Sequence, residues 1–174
     1  MSGTPGEWAV AAARGDAVAF ADLVRATQAD VWRACAALVD AQSADDLVQE
    51  TYLRAHRSLP SFAGDSSVRT WLLSIARHVC IDEVRARGRR RRLLAAQPPR
   101  PSYVEPHGGV ELQLLISELP AERREAFVLT QLVGLSYDEA AAVCKCPVGT
   151  IRSRVARART DLMMAMRAAE TPIA

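Results

Sequence analysis

The sequence predicts an all-α fold of two small helical domains joined by a flexible linker, and three observations carry that prediction. Apolar residues recur at three- and four-residue steps through both halves, with no alternation that demands a sheet. Alanine is abundant and aromatics make up only 5% of the chain, a balance that favours helix over strand. Between the halves, "QPPRPSYVEPHGG" (Gln97 to Gly109) holds four prolines and two glycines with almost no apolar periodicity. A chain of 174 residues can bury one good core or two small ones. The expected division is 1–92, a tether 93–109, and 110–174. Fully extended, that tether spans roughly 55 to 60 Å at about 3.3 to 3.6 Å per residue, enough to place two modules far apart on one ligand.

In the first half, "WAVAAARGDAVAFADLVRATQADVWRACAALV" carries Phe20, Leu23, Val24, Val31, Trp32, Cys35, Leu38 and Val39 at helical spacing. "SADDLVQETYLRAHRSL" starts at Ser43, a candidate N-cap, with Asp45 and Asp46 in the first turn. Its apolar seam is Leu47, Val48, Thr51, Tyr52 and Ala55. "PSFAGDSS" interrupts the pattern, and "VRTWLLSIARHVCIDEVRARGRRRR" resumes it with a core stripe of Trp71, Leu72, Ile75, Val79 and Val84. In the second half, "VELQLLISEL" stops at Pro120 and "AERREAFVLTQLVG" stops on Gly134. "SYDEAAAVC" opens on a capping box of Ser136 and Glu139. Pro147 then opens the last helix as a first-turn proline. Two helices on a tight turn, the second one basic, form a helix-turn-helix.

The net charge of +2 hides a separation. Acids dominate from Asp16 to Glu50, whereas Arg85 to Arg92 holds six arginines and no acid, and Lys145 to Arg159 holds five basic residues and no acid. Local basic stripes on a nearly neutral average point to defined anionic contacts rather than a diffuse polycation. On a helical wheel, Val155, Ala158 and Leu162 fall within about 40° of Ile151, while Arg152, Ser153, Ala156 and Arg157 fall between about 100° and 240°. Arg154 and Arg159 lie on the flanks. Two readings fit a basic outer face: a solvated surface, or a surface for the major groove. Arginine pairs bidentately with guanine, and Ser and Ala allow close approach or touch a thymine methyl. Val148, Gly149 and Thr150 at the helix start offer N–H groups and a hydroxyl to a phosphate. The capping box, the short turn, Pro147 and the opposed faces agree on DNA.

Cys35, Cys80, Cys144 and Cys146 show no disulfide framework, which points to a reducing cytoplasm. A Cys-x-Cys pair with no Cys or His after it is a poor metal signature, and His56, His78 and His107 are scattered, so no metal is expected. No signal peptide, membrane span or nucleotide-binding Gly-Lys motif is present in the sequence, and neither a cofactor nor catalysis is expected.

The stretch "SADDLVQETYLRAHRSLPSFAGDSSVRTWLLSIARHVCIDEVR" resembles region 2 of the extracytoplasmic-function (ECF) sigma factors, small alternative sigma subunits of bacterial RNA polymerase. "LSYDEAAAVCKCPVGTIRSRVARARTDL" resembles their region 4. The likeness covers about residues 10 to 92 and 110 to 168, and within the family the wording is similar to the SigC-type members of actinobacteria.

The resemblance implies that residues 1–92 bind core polymerase and the −10 element, and that 110–174 bind the −35 element. Asp45, Asp46, Gln49 and Glu50 match the surface that docks on the β′ clamp helices, where an acidic face suits a basic partner. Ser61, Phe62, Gly64, Asp65, Ser66 and Ser67 match the loop that captures a flipped −10 base, whose unstacking cost of a few kcal/mol is offset by contacts in a pocket. Arg69, Arg77 and His78 would follow the −10 strand, with the arginines from Arg85 to Arg92 clamping phosphates. Trp71, on the apolar stripe, reads as core. The family's −35 readers fall on Arg152, Ser153, Ala156 and Arg157, with Lys145, Gly149, Thr150, Arg154 and Arg159 against the backbone. Ala156 is smaller than the residue some members carry there. The implied partners are core RNA polymerase (β′ clamp helices and β flap), promoter DNA and an anti-sigma factor.

Overall fold

The computed structural model describes residues 3–94 and 110–170. Most of the expected tether, His107 included, therefore lies outside the described residues. Among the described residues every regular element is helical.

Helix α1 (Pro5–Ala13) begins at Thr4, which exchanges capping hydrogen bonds with Glu7. Gly15, at φ +96°, turns the chain, and the Asp16 carboxylate accepts the N–H groups of Val18 and Ala19 at 2.9 and 3.0 Å to start α2 (Ala17–Leu38). Helix α3 (Ala44–Ser58) starts after Ser43, but the Ser43 hydroxyl does not cap it. Its backbone sits in the helical region (φ −95°, ψ −6°) rather than the extended one a capping side chain needs. Its hydroxyl instead accepts from Arg87, and its N–H donates to Asp40 at 2.8 Å. A short 3-10 turn (Leu59–Ser61) follows.

Helix α4 (Val68–Leu94) takes in Leu93 and Leu94 from the expected tether. Its buried surface is broader than one stripe and includes Val68, Thr70, Leu72, Leu73, Ala76, Val79 and Cys80. The reason is that α2 and α3 pack on it from one side and α7 from the other. Val84, expected in the core, is 46% exposed, beside an open pocket that it lines with Leu38 and Arg124. Trp71 is half-buried and lies on Phe62, ring centroids 4.9 Å apart.

The second half comprises α5 (Val110–Glu118), α6 (Ala121–Phe127), α7 (Tyr137–Cys144) and α8 (Val148–Glu170). Helix α6 widens into a π-helical turn over Val128–Leu132 and closes at Gly134, φ +80°. There the Leu135 N–H reaches the Leu129 carbonyl at 2.9 Å, a bond that needs a left-handed residue before it. The Ser136–Glu139 capping box is present at the start of α7. Lys145 closes that helix in the left-handed region at φ +53°. Pro147 stands one place before the expected first turn, its carbonyl accepting the Thr150 N–H at 2.9 Å.

The two halves pack together. Leu23, Leu72, Leu129, Val143 and Ile151 belong to one continuous buried cluster that crosses the seam. Full burial of each such side chain contributes about 1.5–3 kcal/mol. Polar bonds follow the same seam: Gln113 donates to the Ala36 carbonyl at 2.6 Å and Arg124 to the Leu38 carbonyl at 3.3 Å.

Candidate nucleic-acid interface

Helix α8 divides as its residue types require. Ile151, Val155, Ala158 and Leu162 are buried, with at most 7% of their surface accessible, and they pack the helix onto α6 and α7. Arg152, Ser153, Ala156 and Arg157 are all exposed on the other side. Ser153 returns its hydroxyl to the Thr150 carbonyl at 2.9 Å. Arg152 and Arg157 have no hydrogen-bond or ion-pair partner among the described residues, so both guanidinium forks are free for a ligand.

The flanking residues differ from one another. Lys145 and Gly149 are exposed and Thr150 is half-buried at the turn. Arg159 is exposed but donates to Gln131 at 2.7 Å. Arg154 is more committed: it bonds Glu122 at 2.5 Å and the Cys146 sulfur at 3.7 Å, with its side chain 20% exposed.

The loop from Phe62 to Ser67 turns at Gly64, φ +79°, a conformation that favours glycine. Ser61, Gly64, Asp65 and Ser67 are exposed, while Phe62 and Ser66 are half-buried. Three hydroxyls already have local bonds. Ser61 donates to the Ser58 carbonyl at 2.7 Å, and Ser66 to the Ser67 carbonyl at 3.4 Å. Ser67 accepts the Thr70 N–H at 3.1 Å and so caps α4.

Arg69 and Arg77 face the second half rather than solvent. Arg69 bonds Asp30 and the Val133 carbonyl, each at 2.5 Å. Arg77 pairs with Glu125 at 2.8 Å, the two side chains only 17% and 12% exposed. Thr70 adds a bond to Glu139 at 3.3 Å. His78 stays exposed, its ring nitrogen 2.6 Å from the Ser74 carbonyl. Arg85, Arg89, Arg91 and Arg92 are exposed, whereas Arg87 is held by Asp40 and Glu83.

On α3, Asp45, Asp46 and Gln49 are exposed and Glu50 is half-buried, opposite the buried Leu47, Thr51, Tyr52 and Ala55. Glu50 pairs with Arg54 at 2.7 Å, and Arg54 reaches on to Asp82 at 2.8 Å. Trp32, expected in the core, is 40% exposed; its indole N–H donates to Asp45 at 2.9 Å, which makes it part of this acidic face.

Local bonding sets the titration of several groups. The Ser136 N–H and hydroxyl hold the Glu139 carboxyl below the usual carboxylate range. Arg54 does the same for Asp82, and Arg87 for Glu83. Burial pushes the Tyr52 phenol, which bonds Thr27, up to about 12 and the Cys144 thiol up to about 11. Among the described residues no group of three His, Cys, Asp or Glu side chains is arranged to hold a metal ion, and no helix is long and apolar enough to cross a membrane.

Comparison with known proteins bears on both halves. The family description "Sigma-70 region 2" matches residues 23–90 and "Sigma-70, region 4" matches residues 109–162. The ECF RNA polymerase sigma factor SigC of Mycobacterium tuberculosis is 52% identical over 161 residues, covering 89% of this chain and 87% of that one. The chain belongs to the ECF sigma factors. The ECF sigma-E factor of Escherichia coli is 36% identical over 163 residues, 84% of this chain and 85% of its own.

Among solved structures, CnrH in complex with the cytosolic domain of CnrY has a TM-score of 0.74 and 30% identity, over 94% of this chain and 97% of that one. RpoE of Bartonella quintana, solved with the anti-sigma factor NepR, has a TM-score of 0.74 and 29% identity, over 85% and 96%. This ECF sigma factor is thus an alternative, non-catalytic specificity subunit of RNA polymerase that directs promoter recognition and transcription initiation.

The seam residues Asp30, Gln113, Arg124, Glu125 and the second role of Glu139 were not legible as functional positions. Their contacts join residues 39 to 86 positions apart, and no short motif marks them.

Proposed function

We propose that this ECF sigma factor reads the −35 element with the outer face of α8 and the −10 element with the loop and helix that follow α3. The observation that carries the reading is the division of α8: four buried apolar residues hold the helix, and the opposite face presents two unpartnered arginines with small residues between them. Arg152 and Arg157 read base edges, Ser153 and Ala156 permit close approach, and Lys145, Gly149, Thr150, Arg154 and Arg159 meet the backbone. Arg154 does so after leaving Glu122. The exposed Asp45, Asp46 and Gln49, with Glu50, dock on the β′ clamp helices, and residues 110–174 lie against the β flap. Residues 1–92 and 110–174 act as the two promoter-binding domains, with 93–109 as their tether.

Loop residues Ser61 to Ser67 take the flipped base against Phe62, and His78 follows the strand. Arg69 and Arg77 become available to DNA when the halves part, because both are engaged across or beside the seam in the packed form. The protein works in the cytoplasm, where the polymerase and the chromosome are. An anti-sigma factor is a further partner, in keeping with the complexes in which CnrH and RpoE were solved.

Footprinting of reconstituted holoenzyme on a cognate promoter tests the assignment. Arg152→Ala with Arg157→Ala should remove protection at −35 while region 2 contacts persist. Undiminished −35 protection would overturn it.

A further inference from the structure

The connection between α2 and α3, residues 39–43, leads directly into the helical turn that bears Asp45 and Asp46. Helix α3 begins without a side-chain cap, so other groups must fix the direction in which it leaves α2. Arg87, far along α4, reaches this connection from 44 and 47 positions away in the sequence.

Each nitrogen of the Arg87 fork has a partner. Its Nε donates to Glu83, one turn back on α4, at 2.7 Å, which sets the plane of the guanidinium. One terminal nitrogen donates to the Asp40 carboxylate and the other to the Ser43 hydroxyl. The second Asp40 oxygen accepts the Ser43 N–H at 2.8 Å, so the connection is closed on itself as well as tied to α4. Burial works against the Asp40 carboxylate, yet Arg87 and Ser43 hold it below its ordinary range. From the other side, the Trp32 indole of α2 donates to Asp45 at 2.9 Å. The start of α3 is thus held by α4 just before its first turn and by α2 within it.

The side chains of Arg87, Asp40 and Glu83 remain 34%, 35% and 26% exposed. Ion pairs that wet add little to global stability, so the consequence of the fork is orientation. Among the six arginines from Arg85 to Arg92, Arg87 therefore faces the protein rather than a phosphate.

We propose that Arg87 is a positioning residue for core polymerase: its fork fixes the α2–α3 connection and so aims Asp45, Asp46 and Gln49 at their partner. The inference rests on the docking role proposed above for those residues. It assigns Arg87 no contact with the polymerase or with DNA.

The test is the affinity of the labelled full-length protein for purified core RNA polymerase, measured by fluorescence anisotropy with no DNA present. Arg87→Ala should weaken binding roughly tenfold, within the range for residues that act through a neighbour. Asp40→Ala should weaken it similarly, and the double variant should bind no more weakly than Arg87→Ala alone, because both remove one link. Arg87→Lys keeps the charge but cannot span Glu83, Asp40 and Ser43 together, so it should stay close to Arg87→Ala. Hydrogen exchange of the free protein should quicken at the amides of residues 44–48 in Arg87→Ala and stay unchanged in α7. Circular dichroism checks that each variant is folded.

Wild-type affinity in Arg87→Ala or Arg87→Lys would overturn the proposal. So would additive losses from Arg87→Ala and Asp40→Ala, which would make Arg87 a direct contact. Asp45→Asn with Asp46→Asn is the separate check on the docking reading. Undiminished affinity there would count against that reading, and the positioning role would fall with it; a loss there alone would sink only the role of Arg87.

Discussion

The Arg77–Glu125 pair is where the packed arrangement of the two halves is most open to test. Two guanidinium nitrogens of α4 meet one carboxylate oxygen of α6 at 2.8 Å, with the side chains 17% and 12% exposed. The pair is close to buried, so Glu125→Gln leaves Arg77 charged and largely dry as long as the halves stay together. When they part, the same arginine is hydrated and the substitution costs little. Removing one partner of a buried pair costs about 3–5 kcal/mol, and the residual exposure argues for the lower end. A penalty of about 3 kcal/mol on the packed form alone shifts the packed-to-open ratio by about 150-fold.

Small-angle scattering measures the result directly. A compact chain of this length has a radius of gyration of about 16 Å, and the wild type should lie near that value. Glu125→Gln should expand it, with helical circular dichroism unchanged. A Glu125→Gln profile that superimposes on the wild type would refute the reasoning.

Three further outcomes are expected. Arg157→Ala in the holoenzyme should lose about 1–3 kcal/mol at a cognate −35 element, measured by competition against base-substituted promoters; an equal loss on every sequence would make it a phosphate contact. Ile151→Ala should destabilise by about 2–5 kcal/mol, read as a lowered denaturant midpoint, because its fully buried side chain fixes α8 on the preceding helices. Ser136→Ala should cost about 0.5–2 kcal/mol through loss of the α7 cap. The same cap makes stability depend on pH. The Glu139 carboxyl is depressed by its bonds to Ser136, so its contribution is fully present above its ordinary value of 4.5 and is lost as the pH falls through the lowered folded value. Acid titration of the wild type should show that loss, and Ser136→Ala should flatten it.

Local signals were legible where local physics decides. The Ser136–Glu139 box, the stop at Gly134 and the two faces of α8 each depend on residues within a turn or two, and each stands as the sequence implied. Ser43 misled because its backbone is helical and Arg87, 44 positions away, claims its hydroxyl. Trp32 and Val84 misled because hydrophobicity does not reveal which part of a helix face a neighbour covers: Trp32 turns to Asp45, and Val84 lines an open pocket. The π-helical turn at Val128–Leu132 has no signature in side-chain spacing. The largest omission was the seam. Its apolar positions looked like two small cores, and only the fold shows Leu72 and Leu129 in one cluster. Arg69 and Arg77 were legible as cations but not as seam contacts, since Asp30, Val133 and Glu125 lie 39 to 64 positions from them.

The most direct measurement is in vitro transcription with purified core RNA polymerase and a library of promoter fragments. Addition of this protein should start transcripts from a subset of templates sharing paired −35 and −10 elements, and core enzyme alone should not. No added initiation from any template, with the protein folded and reduced, would contradict the account.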